Sequence, residues 1–155
     1  MDKKEIKVIK DITEKLLKLL DVDGDFEILE SKNTGDESIE IILNTKDTGV
    51  VIGYHGDTLE GLQLVLSLCV AKKLGRFVRI SIDVGDYKKN RTEWLKTLAM
   101  ETKERVLAER KEMAIPELKS WERRVVHLLL ESDGEVVSAS QGEGRDRVLV
   151  VSPKK

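Results

Sequence analysis

The chain has 155 residues, 40% hydrophobic and 36% charged, enough to build a core and too polar for a membrane-embedded protein. No apolar run approaches the about 18 residues of a membrane-spanning helix, and Met1-Asp2-Lys3-Lys4-Glu5 does not lead into a signal-peptide core. One cysteine, Cys69, excludes a disulfide framework and a multi-cysteine zinc site, and two histidines exclude a histidine-rich metal centre. A cytoplasmic protein without metal or cofactor is expected, with room for one large domain or two small ones. The net charge of −2 divides unevenly, −4 over residues 1–84 and +2 over residues 85–155, so a polyanion site has to be a local patch.

In chain order, Ile9, Ile12, Leu16, Leu19 and Leu20 recur at helical spacing and predict an amphipathic helix over 5–20, closed by Asp21-Val22-Asp23-Gly24-Asp25. Strands are predicted at Phe26–Glu30 and Ser38–Asn44, joined by a polar loop over 31–36, with Ile39, Ile41 and Leu43 on one face. A short helical piece over 46–52 leads to Gly53-Tyr54-His55-Gly56. A stronger helix follows, with Leu59, Leu62, Leu66, Cys69 and Val70 as its seam and Lys72-Lys73-Leu74-Gly75 at its end. Val78, Ile80, Ile82 and Val84 alternate as a third strand. Gly85-Asp86 marks a domain boundary, giving domains at 1–84 and 85–155. The second opens with a long helix over 87–111, its apolar line being Trp94, Leu95, Leu98, Thr102, Val106 and Leu107. Pro116 breaks the chain, a second helix runs from Pro116 or Glu117 to about Leu130, and Val136–Ser140 with Val148–Val151 form a hairpin. The reading is α+β throughout: helix–strand–strand–helix–helix–strand, then helix–helix–strand–strand.

Gly53-x-x-Gly56 allows a tight turn and close approach of a phosphodiester backbone, while the helix after it presents first-turn N–H groups. By itself the pattern also fits a plain connection between two helices. No Lys-Ser/Thr follows Gly56, so the nucleotide-binding P-loop pattern fails. Both glycines are expected at the surface, where aspartate would repel phosphate without unfolding the domain. Between them Tyr54 offers a stacking ring and His55 an imidazole, whereas Asp57 and Glu60 add repulsion. Compensating charge is assigned to Lys72, Lys73, Arg76 and Arg79; for Lys72 and Lys73 a solvated helix end that matches the dipole is an equal reading. In Trp121–His127, Arg123 and His127 stand at i and i+4, about 200° from Val125, the centre of a seam of Leu118, Trp121, Val125, Leu128 and Leu129. A cation and an imidazole on one exposed face, with Arg124 beside them and His127 flanked by Val126 and Leu130, which can half-bury it, suit a phosphate or sugar contact; an incidental surface pair is the alternative. His127 has no serine or cysteine arrangement near it in sequence, and Cys69 is predicted to be buried, so catalysis is not expected.

The Ile-Gly-x-x-Gly loop within helix–strand–strand–helix–helix–strand order resembles a type II KH domain, whose loop clamps about four backbone nucleotides of single-stranded nucleic acid. Arg123-x-x-x-His127 after a proline break, followed by a hairpin from Ser140 to Pro153, resembles the R-three-H domain of single-stranded nucleic-acid-binding proteins. That order over residues 1–152 resembles the bacterial Jag (SpoIIIJ-associated, KhpB/EloR) family, with its N-terminal Jag domain missing. The resemblance implies nucleic-acid contacts at Gly53 and Gly56 and at Arg123 and His127, with Arg145 and Arg147 as further phosphate contacts. It implies binding to single-stranded RNA, with single-stranded DNA as the alternative, and post-transcriptional regulation linked to cell elongation, division and cell shape. It also implies pairing with a small single-KH protein or self-association; a protein-interaction scaffold with weak or no RNA binding is the competing function.

Overall fold

The structure, a computed structural model, describes residues 1–31 and 37–155 and divides into two units, Met1–Tyr87 and Lys88–Lys155. The loop expected between the first two strands lies, from Lys32 to Asp36, outside the described residues.

Helix α1 (Lys3–Leu19) starts where Asp2 and Glu5 cap each other: the Asp2 carboxylate accepts from the Glu5 N–H at 2.7 Å, and the Glu5 carboxylate accepts from the Asp2 N–H at 3.2 Å. Its buried line is Ile9, Thr13 and Leu17; the Thr13 hydroxyl donates to the Ile9 carbonyl at 2.8 Å, which satisfies the one polar group in that line. Leu19 and Leu20 are exposed. Strands β1 (Gly24–Ser31), β2 (Ser38–Thr45) and β3 (Arg79–Val84) form a sheet in the order β1-β2-β3, antiparallel then parallel. Register sets Ile28 and Ile82 opposite Ile41, and Phe26 and Val84 opposite Leu43, so one face is a continuous apolar layer. Helix α2 (Thr48–Ile52) and helix α3 (Asp57–Leu74) complete the unit, with Leu59, Leu66 and Val70 in the same core.

Helix α3 departs from the expected seam. Cys69 is exposed, Leu62 only half-buried, and Leu64, Val65 and Leu68 face solvent on the side away from the core. Between Leu62 and Ala71 every residue but Gln63 and Ser67 is apolar, which leaves no polar face to mark the inward side, so periodicity could not orient this helix.

Helix α4 (Tyr87–Glu109) starts on the last residue of the first unit; within the second it buries Leu95, Ala99, Thr102 and Val106, while Trp94 is exposed beneath the Arg91 guanidinium, 4.1 Å from its ring centroid. Strand β4 (Met113–Ile115) follows, too short for sequence alternation to reveal. Helix α5 (Ser120–Glu131) begins later than expected, because Glu117 takes a φ of 60° and the Glu122 carboxylate caps the Lys119 N–H at 2.9 Å. Strands β5 (Val136–Gln141) and β6 (Val148–Pro153) complete an antiparallel sheet of order β4-β6-β5.

The inward line of α5 is Leu118, Glu122, Val126 and Leu130, about 100° round from the predicted seam. Trp121, Leu128 and Leu129 are exposed. Glu122, fully buried, accepts from Arg91 Nε at 2.6 Å. A carboxylate paired in this way occupies a core position that sequence hydrophobicity assigns to the surface.

Candidate nucleic-acid interface

The loop between α2 and α3 is shaped by three left-handed residues: Gly53 at φ 69°, His55 at 49° and Gly56 at 81°. A Cβ on Gly53 would collide with the Thr58 side chain, and one on Gly56 would lie 2.8 Å from the Tyr87 hydroxyl. Gly56 is buried, and Gly53 is half-buried. The expectation that aspartate is tolerated at both is therefore corrected: these glycines are conformational requirements of the turn, not spare surface. What the turn displays is its middle. Tyr54 is 68% exposed, and its ring stacks on His55 with centroids 4.0 Å apart and planes 15° apart. Gly56 is the N-cap of α3 and brings no side chain to the first-turn N–H groups.

The expected basic cluster is not at this loop. Lys72 and Lys73 occupy the last turn of α3, which Gly75 closes with a left-handed cap. They stand roughly 24 Å along the helix from Gly56, at 1.5 Å per residue. Arg76 is engaged elsewhere, its Nη2 2.8 Å from Glu5 and 2.7 Å from Glu37. Hydrogen bonds from Glu5 first, then Glu37, hold the Arg76 guanidinium above its ordinary basicity, and Arg76 in turn lowers the Glu37 carboxyl. Arg79 is exposed at the start of β3.

On α5, Arg123 and His127 lie about 60° and 100° from the buried Val126 line, at the rim and half-buried, not on the open face expected. Arg123 Nη1 donates to the Leu118 carbonyl at 2.5 Å and Nη2 to Ser120 Oγ at 3.2 Å, tying the helix start; a guanidinium has five donors, so some remain. Nδ1 of His127 lies 2.7 Å from Ser138 Oγ on β5. Arg124 is exposed one residue along. Arg145 and Arg147 are exposed on the β5–β6 hairpin, around a 3₁₀ turn over Gly144–Asp146. The second unit thus gathers Arg123 and His127 on one helix rim beside β5, with two arginines on the adjoining hairpin.

Sequence reasoning missed Tyr87, which packs beneath the first loop, and Ser138. Ser138 was legible in principle: strand alternation puts it on the face of buried Val136, where a polar residue calls for a partner. No cluster of metal-ligating side chains exists among the described residues, and none of their helices is long and apolar enough to cross a membrane.

Residues 7–82 match the KH domain of the KhpA/KhpB family, and residues 93–153 match the R-three-H domain. RNA-binding protein KhpB of Clostridium symbiosum is 32% identical over 123 residues, covering 79% of this chain and 55% of that protein. The KhpB of Streptococcus pneumoniae is 32% identical over 129 residues, 83% of this chain and 39% of that protein. That of Bacillus subtilis is 28% identical over 134 residues, 85% and 62% respectively. The chain therefore spans about half the length of the curated relatives it matches. These relatives are named for binding RNA, not for a reaction.

Proposed function

We propose that this chain, a KH domain of the KhpA/KhpB family followed by an R-three-H domain, is a cytoplasmic single-stranded RNA-binding protein and not an enzyme. The observation that carries the reading is the Gly53–Gly56 turn, in which two left-handed glycines hold exposed Tyr54 stacked on half-buried His55 at the start of α3. Tyr54 and His55 supply stacking and hydrogen bonding where this sequence has no lysine or arginine, and the α3 N-terminus receives a phosphate. A second contact runs along the α5 rim through Arg123, Arg124 and His127, continued by Arg145 and Arg147. Lys72, Lys73 and Arg79 add general attraction, and Arg76 serves the fold through Glu5 and Glu37. Post-transcriptional regulation tied to cell elongation and division is the physiological role this reading serves. Fluorescence anisotropy on a short oligouridylate tests it: Tyr54→Ala should weaken binding about fivefold or more at an unchanged melting temperature, and His127→Ala about fivefold or more beyond the ~1 kcal/mol of stability lost with its hydrogen bond to Ser138. Wild-type affinity in both variants refutes it.

One observation favours a protein partner as well. The outer side of α3 exposes Leu64 and Leu68, 61% each, with Val65 between them and Cys69 alongside, one turn from Gly61. An apolar helix face of this kind matches pairing with a second KH unit, from a small single-KH protein or another copy of the chain. Leu68→Asp should shift sedimentation to the monomer and leave the melting temperature of the unit intact; a monomeric wild type at micromolar concentration, alone and with a single-KH protein, removes this proposal.

A further inference from the structure

We propose that Ser138 is a positioning residue for His127, fixing which ring nitrogen meets the nucleic acid; the inference rests on the R-three-H reading given above. Strand β5 alternates: Val136 is buried, Val137 is exposed, and Ser138 returns to the face that packs on α5. Its Oγ sits 2.7 Å from His127 Nδ1. Nε2 has no partner among the described residues, yet it is not one of their buried unpartnered atoms, so it is in contact with solvent.

The chemistry of the two groups gives the consequence. An ionised phosphate only accepts hydrogen bonds, so the imidazole binds it through an N–H. A neutral ring carries a single proton. When the Ser138 hydroxyl donates to Nδ1, that proton stays on Nε2, the nitrogen turned to the ligand. When the ring is charged, Nδ1–H donates to the same oxygen, because a hydroxyl also accepts. Ser138 therefore permits a donor at Nε2 in either state, and a phosphate at Nε2 selects that tautomer of the neutral ring, whereas a main-chain carbonyl or a carboxylate, acceptors only, would oppose it. It also removes rotation about the ring's outer bonds before the ligand arrives, a cost the complex otherwise bears.

The pair Ser138→Thr and Ser138→Val isolates the hydroxyl, since the two replacements have nearly the same shape and both suit a strand. On a short fluorescent oligouridylate, Ser138→Val should weaken binding roughly 3- to 10-fold, the range for one net hydrogen bond, while Ser138→Thr stays within about twofold of wild type. In a His127→Ala background, Ser138→Val should have no further effect, because its action passes through the ring. Nitrogen NMR of the His127 ring in the oligouridylate complex should show Nε2 protonated and Nδ1 hydrogen-bonded in wild type and Ser138→Thr, with both signatures averaged in Ser138→Val. Equal affinities for the threonine and valine variants, or an undiminished Ser138→Val penalty without His127, overturns the inference. Wild-type affinity of His127→Ala alone overturns the R-three-H contact beneath it, a different and separately visible failure.

Discussion

Substitutions at the Gly53–Gly56 turn divide into those that test the fold and those that test binding. Gly53→Asp with Gly56→Asp places side chains at φ 69° and 81°. Each left-handed non-glycine residue costs about 1–2 kcal/mol, so backbone strain alone amounts to roughly 2–4 kcal/mol. The contacts with Thr58 and Tyr87 add to it. At about 4–8 °C per kcal/mol for a domain of this size, the melting temperature should fall by roughly 10–30 °C. His55→Gly runs the other way. His55 already occupies φ 49°, so relief of about 1–2 kcal/mol offsets the ~0.5–1 kcal/mol of added chain entropy and the loss of its stack on Tyr54. The variant should melt within a few degrees of wild type, at roughly 1 kcal/mol of net change. Tyr54→Ala removes a largely exposed ring and should be similarly silent in melting. If Tyr54 stacks a base, its loss costs about 1–3 kcal/mol, a ~5- to 150-fold drop in affinity. Circular dichroism melting and anisotropy on the same proteins provide both readouts. A double aspartate variant that melts like wild type would refute the conformational argument; unaltered affinity in both Tyr54→Ala and His55→Gly would refute the binding argument.

Further expectations concern charge. If the chain neutralises about three phosphates, log affinity should fall against log salt with a slope near −2, at roughly −0.7 per single-strand phosphate; a slope of zero removes the electrostatic contact. Glu122→Ala strands the Arg91 charge and should cost about 3–5 kcal/mol in urea denaturation, most of which Glu122→Leu with Arg91→Met should restore, as both charges then leave together. Arg123→Ala loses ties to Leu118 and Ser120 and should cost about 1 kcal/mol of stability besides any affinity, so its binding must be read against its melting curve. The hydrogen bond from Lys103 holds the Asp133 carboxyl below its ordinary value of 3.8, and Asp133, then Glu135, hold the Lys103 ammonium above 10.5. The Asp133 contribution is complete above pH 3.8 and lost as pH falls through its lowered value; that of Lys103 is complete below pH 10.5 and lost as pH rises through its raised one. Lys103→Met should therefore be destabilised relative to wild type at pH 7 and converge on it in acid, in melts at a series of pH values.

Much of the first unit was legible because its chemistry is segregated. Ile80, Ile82 and Val84 on β3 alternate with polar residues, as Ile39, Ile41 and Leu43 on β2 do apart from Ile42, and the structure buries all six. Helix α3 defeats the same reasoning. It is apolar on two sides, one for the sheet and one exposing Leu64, Val65 and Leu68, and a periodicity argument has no means to rank two apolar faces. Cys69 was assigned to the wrong one for that reason.

Helix α5 shows the opposite error, and it reaches the candidate site. Hydrophobicity gives Trp121, Val125, Leu128 and Leu129 the inward role, yet the fold turns Glu122 inward beside Val126, because Arg91 from α4 neutralises it. A rotation of about 100° follows, and it decides what Arg123 and His127 are. Opposite the core they would be freely moving surface groups whose contribution to binding is discounted by the entropy of ordering them. At the rim they are already held, Arg123 by the first turn of its own helix and His127 by β5. The buried ion pair goes with this rotation of α5, and with it Arg123 and His127 are held at the rim and not free at the surface. If so, Glu122→Leu with Arg91→Met, though restored in stability, should keep full RNA affinity only where α5 keeps that rotation, which the His127 Nδ1 signature reports directly.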